Sequence, residues 1–217
     1  SMRSVADIYK DYKIMPQLQA HQLRVAAVAE SIAEHMSVPL NRADAVAACL
    51  FHDMGNIIKF LIPHPVFEVS FEPEGMEYWR QVQADYVARY GKDEHAASVE
   101  IARELRLSAE AIEYIDNIDF PLLEINAASD SYERKLCAYA DMRVAPYGVV
   151  SIEERKADGE RRYKGRPNGF ADEHRKQLDD ALVRIEEQLQ AVCGIDLRSI
   201  TDATAEPLFD SLKSRTF

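Results

Sequence analysis

The apolar residues of this chain recur at intervals of three and four, and that spacing restricts its fold more than any other feature. In residues 15–36, MPQLQAHQLRVAAVAESIAEHM, Leu18, Val25, Val28 and Ile32 fall on one face, and Pro16 suits a helix start. Residues 39–51, PLNRADAVAACLF, are alanine-rich and apolar on one side, as in a buried helix. Helical spacing continues through 73–90, which ends at Gly91, through 92–105, and through 108–118, where Ser108 is placed as an N-cap. Further helices are expected over 130–145, closed by Pro146, and over 171–194. Strand alternation is nearly absent; PVFEVSFEP, residues 65–73, is the best candidate and is short. Residues 159–169, rich in glycine, proline and base, read as an exposed loop. The expectation is an all-α fold of about seven to nine helices around one core.

A chain of 217 residues, 47% hydrophobic and 29% charged, carries enough apolar side chains for such a core. We expect a single domain over 1–217, with its motifs in 15–150 and a helical extension, 151–217, packed on them. The formal charge of −11 argues against nucleic acid or an anionic membrane as partner. Cys49, Cys137 and Cys193 lie far apart and form no disulfide framework, which fits a reducing compartment. Neither a signal-peptide pattern nor an apolar run of membrane-spanning length is visible, so the expected location is cytoplasmic.

The informative positions are polar residues that interrupt an apolar stripe. His21 lies three residues after Leu18 and four before Val25. Asp141 lies four after Cys137 and three before Val144, while His52 and Asp53 follow Cys49 by three and four. Taken singly, each has a plain explanation, a hydrogen-bonded core histidine or a capping aspartate. Together they place two carboxylates inside, and buried carboxylates need compensating cations. Two imidazoles and two carboxylates suit a divalent ion such as Mn, Fe, Co or Ni, with Mg also admissible. On an octahedral ion such a set leaves positions for water and substrate, as metal-activated hydrolysis needs.

The order His21, His52-Asp53, Asp141 resembles the H…HD…D pattern of the HD-domain metal-dependent phosphohydrolases. HQLRVAAVAESIAEH is similar to that family's first ligand helix, AVAACLFHDMGN to its HD helix and turn, and KLCAYADMRVA to its final aspartate helix. The resemblance spans roughly residues 15–150. It implies an all-α bundle with one metal, sometimes two, at its centre, held by His21, His52, Asp53 and Asp141. Asp53 would bridge if two ions were present. It also implies hydrolysis of a phosphate ester in a small molecule, a nucleotide or related phosphomonoester, by a metal-activated water.

Around this set, Arg24, one turn past His21, and Arg143, two residues past Asp141, are phosphate-binding candidates, since an arginine fork suits phosphate. His95 is a candidate for a second metal or for the phosphate. No histidine follows in EYIDNID, so Asp116 or Asp119 would have to complete a second site, and one tight site is the expectation. Asn56 stands where the family's lysine is usual, and Lys59 is the nearest substitute. His64 reads as exposed, His35 as structural, and the basic run 161–166 as a solvated charge run. The apolar stripe of 171–194 has two uses, packing on the domain or pairing two copies as a homodimer. Two other functions are compatible with the pattern: a non-hydrolytic nucleotide-binding or signalling module, and oxygen chemistry at a mixed iron pair.

Overall fold

The structure is a computed structural model that describes residues 2–65, 69–163 and 172–217. Its α-helices are α1 (Val5–Asp11), α2 (Pro16–Ala33), α3 (Arg42–Phe51), α4 (Met76–Tyr90), α5 (Glu94–Glu104) and α6 (Ala109–Asp116). They continue with α7 (Leu123–Ala128), α8 (Tyr132–Met142), α9 (Ile152–Tyr163), α10 (Asp172–Gln190), α11 (Asp202–Ala205) and α12 (Phe209–Ser214). The fold is all-α, interrupted only by a small antiparallel hairpin, β1 (Val144–Ala145) with β2 (Gly148–Val149), among the described residues.

Local sequence explains several helix ends. Pro16 occupies the first turn of α2, where its missing N–H is not needed. Asn41, Asp93, Ser108 and Ser131 each accept a backbone N–H with their side chains at the starts of α3, α5, α6 and α8. Gly91 closes α4 at φ 89°, a conformation that favours glycine.

The centre of the molecule is α2. Val25 through Ala29 are wholly buried rather than lined up on one face, because α2 is covered by α3, α8, α11, α12 and the hairpin. Its alanines let these neighbours approach closely. α3 packs on both α2 and α8, so these three helices touch one another. From the C-terminal stretch, α10 lies on α7 and α8 and buries Leu178, Leu182, Ile185 and Leu189 in the common core.

Two boundaries differ from the sequence expectation. α8 stops at Met142, and the end of the expected 130–145 helix is strand β1 instead. Ala145 precedes Pro146, whose ring pushes the preceding residue toward extended backbone. Of the expected loop 159–169, residues 159–163 belong to α9, since a lone glycine with helix formers on both sides does not stop a helix. There Arg161 pairs with Asp158, 2.9 Å away and one turn back. The rest of that stretch, including 164–166 of the basic run, lies outside the described residues. So do residues 66–68 of the strand candidate; residues 69–73 of it are not extended into a sheet.

Candidate metal centre

The three mutually packed helices bring four side chains to one point. His21 projects from the second turn of α2, His52 and Asp53 from the end of α3, and Asp141 from the last turn of α8. One nitrogen or oxygen from each falls within 4.8 Å of every other. His21 Nε2 is 3.1 Å from both Asp53 Oδ2 and Asp141 Oδ1. His52 Nε2 is 3.3 Å from Asp53 Oδ2 and 3.1 Å from Asp141 Oδ1.

The surroundings suit a cation. Both α3 and α8 end at the cluster, so their partly negative C-termini face it. His52 Nδ1 donates to the Cys49 carbonyl at 2.7 Å, which fixes the ring and leaves Nε2 as the atom aimed at the carboxylates. The His52 side chain is 1% exposed, whereas those of Asp53 and Asp141 are 24% and 21% exposed. The site is therefore closed behind the imidazole and open along the carboxylates.

Without an ion, protons hold these groups together. Burial opposes charge on His21 and His52, but the bonds and charges of Asp53 and Asp141 outweigh it and raise both imidazoles. Burial likewise opposes charge on the carboxyls, yet the two histidines hold Asp53 and Asp141 well below the ordinary carboxylate range. A divalent cation would replace those protons with four bonds from donors of the right type. The residues fit a divalent metal ion.

The turn after the dyad is held from two sides. Gln22, wholly buried beside His21, accepts the Asp53 backbone N–H at 2.9 Å. Ser98 of α5 accepts the N–H of Gly55 at 2.9 Å and donates to the Glu94 carbonyl. Gly55 has ordinary negative φ; what demands glycine is proximity, since a Cβ there would lie 2.6 Å from Ala97 Cβ and 2.8 Å from the Glu94 carbonyl. Sequence spacing singles out Gly55 but carries no signal for Gln22 or Ser98, because their partners are backbone atoms of another segment.

The outer candidates separate clearly. Arg24 lies three residues beyond His21 on α2, and its Nε is buried without a hydrogen-bond partner. His95 is not brought into the cluster; its Nε2 donates to the Asp116 carbonyl and carboxylate at 2.9 and 3.1 Å. Asp119 lines a narrow crevice that Asp141 also lines, with Ile118, Phe120, Leu123 and Met142 as its apolar walls. Burial raises the Asp119 carboxyl against the pull of His95 and Lys59. Lys59 lies 3.6 Å from Glu94, and Asn56 begins a short 3₁₀ turn with its N–H on the Asp53 carbonyl. His64 meets the edge of Phe60, and the exposed His35 gives its carbonyl to Gly194.

Arg143 corrects the sequence reading. It is 2% exposed, so it is not a phosphate ligand. Its guanidinium donates to Tyr139 Oη and the Leu197 carbonyl at 2.8 Å each, to the Ile200 carbonyl at 2.7 Å, and to the Val150 carbonyl. It joins the end of α8 to the hairpin and the C-terminal segment.

Fold and site together define an all-α protein with a mixed imidazole–carboxylate cluster able to hold a divalent metal. The family model described as HD domain matches residues 18–120, so this stretch is an HD domain, a type found generally in metal-dependent phosphohydrolases. No curated protein and no solved structure matches the chain. The match contains His21 and the dyad and stops short of Asp141, which the packing of α8 supplies. Among the described residues, no helix is long and apolar enough to cross a membrane.

Proposed function

We propose that this protein hydrolyses a phosphate ester of a small molecule, a nucleotide or related phosphomonoester, at the centre formed by His21, His52, Asp53 and Asp141. The observation that carries the reading is the four-residue cluster, open along its carboxylates. When bound, a divalent cation supplies an activated water and neutralises charge on the phosphoryl group. The protein's part is position. Asp53 Oδ2 and Asp141 Oδ1 each face both imidazoles, so the four donors share one focus. Arg24, whose buried Nε lacks a partner, gains one when a phosphate oxygen sits beside the cluster.

The test is metal analysis of the purified protein followed by phosphate release across nucleotides and phosphosugars. Bound Mn, Fe, Co or Ni is expected, with turnover that disappears in Asp53→Ala while the helical circular dichroism is retained. Turnover unchanged by that substitution would sink the mechanism. Nucleotide binding by metal-free protein, without turnover of any phosphate ester, would favour a signalling module instead.

A further inference from the structure

A continued α3 would give the Cys49 carbonyl to the N–H of Asp53, four residues on. Here that carbonyl takes His52 Nδ1 instead, at 2.7 Å. The N–H of Asp53 goes across to α2, where Gln22 Oε1 accepts it at 2.9 Å. Gln22 is wholly buried, and its amide nitrogen rests 3.5 Å from Met54 Sδ, so its orientation is set from both ends. It is also the neighbour of His21. One helix thus provides a ligand and, at the next residue, the acceptor that fixes the backbone of a second ligand.

We propose that Gln22 is a positioning residue for the metal centre. By taking the Asp53 N–H it releases the Cys49 carbonyl to orient His52, and it aims the Asp53 carboxylate between His21 and His52. The inference rests on the metal-centre reading given above and adds a residue that touches neither metal nor substrate. Ser98 provides an internal comparison. It too is a buried side chain that accepts a backbone N–H of the same turn, but at Gly55, which carries no ligand.

The experiment is calorimetric titration of metal-stripped protein with Mn(II), together with thermal melts of the same samples. Gln22→Met keeps the length of the side chain and its contact with Met54 while removing the acceptor. We expect its Mn(II) dissociation constant to rise by about 10–100-fold, the range for partners that orient metal ligands. Ser98→Ala is expected to lower the melting temperature comparably and shift Mn(II) affinity by less than about threefold. Gln22→Asn, which keeps an amide one methylene short, should fall between wild type and Gln22→Met, and it serves if Gln22→Met does not fold. Wild-type Mn(II) affinity in either Gln22 variant, or equal losses in the Gln22 and Ser98 variants, would overturn the proposal. Phosphate release assayed on the same preparations keeps the two readings apart. Mn(II) binding that depends on Gln22 without any turnover would sustain the positioning role and defeat the phosphohydrolase reading.

Discussion

Asp141 and Arg143 sit two residues apart at the end of α8, both turned inward, and they meet opposite environments. Arg143 is surrounded by fixed acceptors, three backbone carbonyls and one tyrosine hydroxyl, so its charge is satisfied by the protein alone. Asp141 faces a second carboxylate and two imidazoles, and that group balances only with added protons or a cation. A buried charge with a complete set of neutral partners acts as a clamp. A buried cluster that needs something from outside is a place where chemistry is done.

The contrast can be broken at either residue. Asp141→Ala should abolish metal retention and lower phosphate release by more than about a hundredfold, since loss of a mere orienting partner already costs about 10–100-fold. Elemental analysis of the purified variant checks the metal. Arg143→Met should do the reverse. Stranding buried carbonyls is expected to lower stability by about 2–4 kcal/mol in urea denaturation, with Mn(II) affinity kept. Metal loss in Arg143→Met without loss of stability would erase the distinction.

Smaller effects sharpen it. Arg24→Ala should raise KM for a phosphomonoester by about 10–100-fold, the worth of one or two hydrogen bonds to a charged group, and leave metal content unchanged. Gly55→Ala should destabilise by about 1–3 kcal/mol, because its Cβ meets Ala97 Cβ and the α5 backbone, none of which can swing away.

The pH dependence of the metal-free protein follows from the same cluster. His21 and His52 are raised on folding, so their contribution is full below the ordinary 6.5 and is lost as pH rises through the folded values. Asp53 and Asp141 are lowered, so theirs is present above the ordinary 3.8 and lost as pH falls through the folded values. Stability without metal should therefore be greatest between 3.8 and 6.5 and decline above. Stabilisation by Mn(II) should instead grow with pH, because the ion displaces protons from both histidines. Thermal melts with chelator and with Mn(II) over this range would show the two opposing trends.

The helices and the four inward polar residues were legible because both depend on spacing along one segment. His21, His52 and Asp141 each break an apolar stripe, and a stripe is visible without knowing its partner. The short helices α1, α7, α11 and α12 escaped, since pieces of four to seven residues show too few turns for periodicity to register. Arg143 misled for a related reason. An arginine near a ligand helix end looks the same in sequence whether it faces phosphate or the carbonyls of residues 197 and 200.

By itself the sequence determined an all-α chain, the ligand types and the segments that bear them, because side-chain chemistry and helical period are local properties. Only the tertiary structure decided which atoms converge. It brought Asp141 from outside the family match onto the dyad, turned Arg143 into a clamp, and left the buried Nε of Arg24 unpartnered. It paired His95 with Asp116 and set Gln22 behind Asp53. Those outcomes depend on contacts between residues far apart in the chain, where packing and the satisfaction of buried hydrogen bonds choose among partners that spacing cannot rank.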